Sequence, residues 1–310
     1  MPSAATTPEP SGPSDLAERV RAVLEAADAD GAVHVRRIGG TQRFALEADR
    51  PVPSASVFKI LVLLEFACQV AAGTLSPTTR IRVPADERTM GPTGLSVLRD
   101  DVEMSARDLA VLMMQISDNT ATDVVQRLVG TASVVRRVAA LGLTATVVEH
   151  DCRDLLALLV DELGGAPDVL DTLHTLDADE RARVLAASPS LRAECGNRTT
   201  AREMTALLEL IWRDQAGPAQ ACAETRRVMG LQHAPHRLSS AYGDGPVISG
   251  KTGTLVGVRN EVGVIDFGEG EQYAVAVFLR GRTYVQRDPT VDRAIGQVAR
   301  IVVDGLRTPD

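Results

Sequence analysis

Lysine is almost absent from this 310-residue chain, in which Lys59 and Lys251 are the only two among 33 basic residues. Aromatic residues make up only 3% of the sequence, and 41 acidic residues give a formal net charge of -8. A nucleic-acid partner requires a basic surface that neutralises phosphates, so this charge balance excludes that class. With 45% apolar residues, the chain has the composition of an ordinary acidic globular protein.

Membrane-spanning segments and leader features are also lacking. Apolar runs such as residues 60–64, which end at Glu65, are far too short to cross a bilayer. Residues 1–14 contain Pro, Ser and Thr but neither a basic nor an apolar leader region, which is typical of a disordered tail. From the sequence as given we expect a cytoplasmic protein with no membrane partner.

Paired cysteines are the third absence. Cys68, Cys152, Cys195 and Cys222 are scattered, with no C-x-x-C pair and no histidine at metal-ligand spacing. They are expected to be buried thiols in a reducing compartment. The sequence therefore predicts no metal site and no cofactor.

Hydrophobic periodicity predicts strands at both ends of the chain. Alternating apolar patterns occur in five segments: 32–38, 43–48, 246–252, 258–267 and 272–279. Gly39 and Gly40 separate the first two segments, which indicates a hairpin. Between the two groups of strands the periodicity is helical, with additional helices expected at 154–163 and 166–187.

This arrangement predicts a mixed α/β (α+β) fold. Residues 15–55 and 228–310 are expected to form one antiparallel sheet flanked by helices, with a final amphipathic helix at 290–306. Residues 56–227 are expected to form an inserted helical domain, with an enlarged loop region at 149–200.

Ser56-Val57-Phe58-Lys59 is the first motif with chemical meaning, and it opens an apolar segment expected to be a buried helix. Residues three apart share a helix face, so the Ser56 hydroxyl and the Lys59 amine can approach one another. Burial disfavours the ammonium form of lysine, and a neutral amine can accept the proton of a nucleophilic serine. The alternative is an N-cap serine followed by a lysine whose charged end reaches solvent.

Ser117-Asp118-Asn119 falls between two predicted helices. At such a junction the serine can relay a proton, and the asparagine can hold a substrate amide carbonyl. The alternative is that Asp118 or Asn119 only caps the following helix.

Lys251-Thr252-Gly253-Thr254 ends the first strand of the C-terminal group. If this strand lies beside the Ser56 helix, the Thr254 N–H and the Ser56 N–H can together stabilise a tetrahedral oxyanion. Lys251 and Thr252 then face the anionic part of a substrate.

Residues 245–252 also match the phosphate-loop pattern G-x-x-x-x-G-K-[ST], and residues 262–266 resemble the strand that supplies a metal-binding aspartate. A phosphate loop must lead into a helix, whereas only residues 253–261 separate the two segments. Parallel strands need a crossover of about a dozen residues or more. The sequence context therefore argues against ATP or GTP hydrolysis.

Taken together, S-x-x-K, S-D-N and K-T-G resemble the motif set of class A serine beta-lactamases and the related penicillin-binding proteins. The motifs occur in the family order, and the two lysines of the chain are the two that the set requires. The resemblance implies a carboxylate-bearing small-molecule substrate and a role for each matching residue: Ser56 as acylated nucleophile, Lys59 as general base, Ser117 as proton relay, Asn119 as substrate amide contact, and Lys251 with Thr252 as carboxylate anchor, assisted by Arg259.

One family element is missing. Class A enzymes carry a loop glutamate, followed four residues later by an asparagine, that positions the deacylating water. Residues 149–200 contain no such pair. Glu149, Asp151 and Glu194 are the candidate replacements, and each is as readily interpreted as a solvated carboxylate.

The expected function is that of a serine hydrolase that forms an acyl-enzyme through Ser56 on a beta-lactam or a related amide or ester. One alternative is an intracellular esterase, amidase or acyltransferase of small-molecule metabolism. Another is a beta-lactam-binding protein with little turnover, which the missing glutamate favours. A non-catalytic scaffold is the fourth possibility, because a fold alone does not imply activity.

Overall fold

The computed structural model describes residues 13–166, 173–282 and 287–307. Its nine strands in these ranges are Ala29–Arg37 (β1), Arg43–Leu46 (β2), Val52–Pro53 (β3), Arg80–Val83 (β4), Val102–Ser105 (β5), Arg198–Thr199 (β6), Val247–Leu255 (β7), Val258–Asp266 (β8) and Gln272–Gly281 (β9). The ten α-helices of the same ranges are Pro13–Ala26 (α1), Lys59–Ala71 (α2), Ala106–Gln115 (α3), Asn119–Val129 (α4), Thr131–Ala140 (α5), Cys152–Glu162 (α6), Ala178–Ala187 (α7), Ala201–Trp212 (α8), Ala219–Met229 (α9) and Pro289–Arg307 (α10).

Both chain ends build the main sheet, as the sequence predicts. Its strand order is β2-β1-β9-β8-β7, and every neighbouring pair is antiparallel. The N-terminal strand β1 pairs with β9 over its whole length, with Val33 opposite Val277. Strands β7 and β8 form a hairpin with Lys251 opposite Val262, so no helix follows the phosphate-loop pattern and that interpretation fails.

Alternation along the strands gives the sheet two buried faces. Val262 and Ala276 pack on the face that carries α2 and the other central helices. Val275 and Val277 point to the opposite face, which α1 and α10 cover. Because successive side chains of a strand point to opposite sides, both faces can be apolar only if helices cover both.

Helix α2 lies at the centre of the helical part, because it is apolar on almost every side. Glu65, one of its two charged residues, is neutralised by Arg137 at 2.9 Å. Lys59, the other, begins the helix and is fully buried. No helix within the described ranges has the length and hydropathy needed to span a bilayer.

Three details differ from expectation. Helix α1 begins at Pro13, inside the expected tail, since proline suits the first turn of a helix. The ribbon of β4 and β5 lies within the segment expected to be helical. The helix expected at 166–187 is broken: a 3₁₀ turn at Leu173–Thr175 precedes α7, which Asp177 caps, and residues 167–172 lie outside the described residues.

A close contact joins the two parts of the molecule. Strand β7 passes the 3₁₀ turn Ala55–Phe58, which leads directly into α2. A Cβ added at Gly253 would lie only 2.9 Å from the backbone oxygen of Ser54 and 3.1 Å from the Cβ of Ala55. Glycine at this position therefore lets the strand approach the turn that carries Ser56.

Replacing Gly253 with alanine should lower the free energy of unfolding by about 1–3 kcal/mol, because the new methyl group is forced against backbone atoms. Gly281→Ala is the matched control in the same sheet, since a Cβ there meets its nearest atom at 3.5 Å. Chemical denaturation of the two variants provides the measurement. Equal losses in both would show that the β7 contact does not depend on glycine.

Candidate active site

Ser56 lies on the 3₁₀ turn at the start of α2 and is half-buried at the edge of a cleft. The backbone N–H of Lys59 donates to the carbonyl oxygen of Ser56, which is the i to i+3 bond of a 3₁₀ turn. Side chains three residues apart are eclipsed in this geometry, so Ser56 and Lys59 project to the same side. Lys59 does not reach solvent, and Ser54 rather than Ser56 precedes the turn, so the capping interpretation of the motif is wrong.

The Lys59 amine is held by the second motif. Its Nζ lies 2.9 Å from the backbone oxygen of Ser117, 3.3 Å from the Ser117 hydroxyl and 3.0 Å from Oδ1 of Asn119. The side chain is completely buried, and burial lowers its pKa because the charged form loses its hydration. The first two motifs are therefore in direct contact in the structure.

The turn between α3 and α4 presents Ser117 and Asn119 to that amine. Ser117 has a φ of 60°, a left-handed conformation that reverses the chain direction between the two helices. Asp118 is fully buried, and its carboxylate accepts hydrogen bonds from the backbone N–H groups of Ala121 at 3.0 Å and Leu95 at 2.6 Å. Asp118 thus caps α4, which leaves its two neighbours free to face Lys59.

The third motif lies across the cleft, on β7. Lys251 is also fully buried, and its Nζ donates to the carbonyl oxygen of Thr252 at 2.9 Å. Burial, reinforced by the nearby charge of Lys59, lowers the Lys251 pKa well below its ordinary value. Thr254 is exposed and lines the same cleft as Ser56 and Asn119.

Arg237 is a site residue that no sequence motif identified. It is buried, with Nη2 at 2.8 Å from the Thr254 hydroxyl, Nη1 at 3.0 Å from the Gly253 carbonyl oxygen, and an ion pair to Asp292 at 2.7 Å. Arg237 directly precedes the 3₁₀ helix Leu238–Ala241, and the packing of this segment places its side chain beside β7. Hydrophobic periodicity in the sequence does not reveal such tertiary packing.

Arg259 is also buried and, like Arg237, is not among the residues that line the cleft. Its Nη1 donates to the carbonyl oxygens of Leu255 and Val258, and its Nε lies 3.7 Å from Asp292. Arg237 contacts the Thr254 hydroxyl, and Arg259 lies opposite Thr254 in the register of β7 and β8.

None of the three candidate replacements for the loop glutamate lines the cleft. Glu149 is exposed. Asp151 caps α6 by accepting from the backbone N–H of Asp154 at 2.9 Å. Glu194 is exposed and forms a surface ion pair with Arg192 at 2.8 Å. Asp151 is thus a helix cap, and Glu149 and Glu194 are exposed surface groups.

Cys152 lies beside Lys59. It is the first residue of α6, lines the cleft and is buried, with its backbone N–H bound to Asp123 at 2.7 Å. Its thiol is close enough to the Lys59 amine that each affects the pKa of the other. Burial raises the thiol pKa to about 12, so Cys152 stays protonated and uncharged.

All four cysteines are free thiols, and Cys195 is the one that is not fully buried. Across the described ranges, no group of three or more His, Cys, Asp or Glu side chains is arranged to hold a metal ion.

The cleft itself has a volume of about 630 Å³ and a largely apolar lining beyond the polar cluster. An antiparallel sheet from both chain ends, an inserted helical part and a serine–lysine pair between them define the class of beta-lactamase-like proteins. The chain belongs to the beta-lactamase enzyme family, whose family model matches residues 15–306.

Comparison with individual proteins gives the same result. The beta-lactamase regulatory protein BlaB of Streptomyces cacaoi is 28% identical over 305 residues, covering 94% of this chain and 97% of that protein. A beta-lactamase structure from Sphaerobacter thermophilus is 25% identical with a TM-score of 0.74, covering 94% of this chain and 96% of the other. The structure of PBP-A, at 19% identity, has a TM-score of 0.71 and covers 93% and 95% of the two chains.

Proposed function

We propose that this protein is a serine acyl-transfer protein that forms a long-lived acyl-enzyme with beta-lactams or related acyl donors. One observation carries the proposal: Ser56 and Lys59 project to the same side of the 3₁₀ turn, yet the neighbour of Lys59 on α6 is the uncharged thiol of Cys152. We assign the first half of the reaction to Ser56, Lys59 and Ser117. For the second half, no carboxylate of the described residues is among those that line the cleft, and Asp123, whose charge affects Lys59, accepts hydrogen bonds from the Thr89 hydroxyl and from two backbone N–H groups of α6.

Acylation starts with the Ser56 hydroxyl, whose oxygen bonds to the acyl carbon while its proton passes to the neutral amine of Lys59. The bond from the acyl carbon to the leaving group breaks, and the leaving nitrogen or oxygen takes up a proton. Ser117 is placed to carry that proton, because its hydroxyl lies 3.3 Å from Lys59. The backbone N–H groups of Ser56 and Thr254 are the proposed donors to the oxyanion.

An anionic group of the substrate fits the opposite end of the polar cluster. Lys251 and Arg237 bring two basic groups to β7, and the hydroxyls of Thr252 and Thr254 lie on the same strand. A carboxylate there would gain charge-assisted hydrogen bonds, which are about twice as strong as neutral ones. A substrate that bears a carboxylate near its leaving group is therefore the best match.

Hydrolysis of the acyl-enzyme needs a base that activates water, and a positioned base contributes about 10²–10⁴ to such a step. The Cys152 thiol, with its pKa raised to about 12, is a poor base at neutral pH. One similar protein, BlaB, is named as a regulatory protein, which supports a role without rapid turnover.

Exposure to a panel of penicillins and cephalosporins should add the mass of one acyl group to the protein and place it on Ser56. The measurement is intact-protein mass followed by peptide mapping. Ser56→Ala should lose the adduct, whereas Ser133→Ala, a change on α5 away from the cleft, should keep it. An adduct that persists in Ser56→Ala would assign the nucleophile elsewhere, and no adduct with any beta-lactam would overturn the proposal for that substrate class.

Replacing Cys152 with glutamate should shorten the lifetime of the acyl-enzyme about 10²-fold, because the new carboxylate would lie beside Lys59 and activate water. Cys152→Gln is the matched control, of equal size but without a base, and it should leave the lifetime unchanged. Stopped-flow kinetics with a chromogenic cephalosporin compares the lifetimes in the two variants through the ratio of the burst rate to the steady-state rate. Wild-type turnover without a burst, or equal acceleration by both variants, would contradict the proposed role of Cys152.

A further inference from the structure

The cleft continues from Ser56 along one face of α6. Cys152, Leu155, Leu156 and Leu159 are spaced i, i+3, i+4 and i+7, so they lie on a single helix face. All four line the cleft, with Cys152 at the end nearest Lys59. The helix face that begins at the Cys152 thiol therefore continues as a row of leucines.

Other elements complete an apolar wall around this row. Phe58 contributes from the turn that carries Ser56, Leu173 from the region after α6, and Val256 from the end of the β7–β8 hairpin. Leu159 and Leu173 are buried together in a small hydrophobic cluster separate from the two main cores. Of the polar residues on this wall, Ser190 already donates to Glu162 at 2.7 Å, and Arg181 is half-buried.

An apolar wall that borders a nucleophile selects the acyl part of its substrate. Leu159 lies seven residues beyond Cys152, which at 1.5 Å per residue is about 10 Å, the length of an extended chain of about eight carbons. The polar end of the cleft, at Ser56 and Asn119, would hold the reacting carbonyl. The leucine face would then cover the hydrocarbon.

We infer that the preferred acyl donors carry a linear apolar acyl chain of about eight carbons, which lies along Leu155, Leu156 and Leu159 while its carbonyl is attached to Ser56. This inference rests on the proposed acylation of Ser56 and specifies the substrate class of that same site. Burial of each further methylene from water should increase the specificity for acylation about three- to fourfold.

Acylation rates with 4-nitrophenyl acetate, butyrate, hexanoate and octanoate test the inference, with the adduct on Ser56 confirmed by mass. Each ester gives acyl-Ser56 and one 4-nitrophenol. We expect kcat/KM for acylation to rise with each added methylene along the whole series to octanoate. Rates that do not depend on chain length, with the adduct still on Ser56, would overturn the chain-length inference and leave the proposed function standing.

Two leucines supply the matched variants, Leu156 in the cleft lining and Leu128 outside it. Leu156→Asn should lower the octanoate rate about tenfold or more while it leaves acetate nearly unchanged, because only the longer chain contacts this position. Leu128→Asn on α4 changes a leucine of 37% exposure outside the cleft lining, and it should preserve the whole series. Equal losses for acetate and octanoate in Leu156→Asn would show a structural effect and contradict the assigned pocket.

Binding to Ser56→Ala separates the two proposals completely, since it requires no acylation. Calorimetric titration with N-octanoylglycine should give a Kd at least about a hundredfold lower than that of N-acetylglycine. This difference, together with no ester adduct in the wild-type protein, would retain the apolar pocket and refute the acylation chemistry. Equal affinity for both ligands would refute the pocket.

Discussion

Burial of the Lys59 amine is the constraint on which the rest of the site depends. An ammonium group without solvent is costly unless several oxygens surround it, and a neutral amine in the same place can act as a base. The structure surrounds Nζ with the backbone and side-chain oxygens of Ser117 and with Asn119. The left-handed turn at Ser117, the cap formed by Asp118 and the apolar helix α2 all contribute to that single enclosure.

Lys251 is a second fully buried amine close to Lys59. Burial lowers the Lys251 pKa, and Lys59 is close enough for its charge to lower the Lys251 pKa further. Burial and the neighbouring charge both disfavour the ammonium form of Lys251, and an anion bound beside it would favour that form.

Strand alternation is a local signal, and it predicted the sheet from both chain ends. The expectation that the three motifs share one site came from the resemblance to class A beta-lactamases. The sequence did not predict Arg237, which reaches Thr254 only through the packing of a segment without periodic pattern. It also treated Cys152 as an ordinary buried thiol, although the i, i+3, i+4, i+7 spacing that starts at this residue marks the leucine face of α6. The candidates Glu149, Asp151 and Glu194 were chosen by charge, and charge in a loop does not indicate which way the side chain points.

The pH dependence of the acylation rate constant tests the account most directly, because it reports whether Lys59 acts as a neutral base. The Lys59 pKa is lower in the folded protein than in free lysine. The acylation rate should therefore be level above that lowered pKa and fall tenfold per pH unit below it. The account predicts a plateau reached well below about pH 10.4, where free lysine titrates, and no activity in Lys59→Arg at any pH. A rate that keeps rising up to that pH, or Lys59→Arg acylated as fast as wild type, would contradict it.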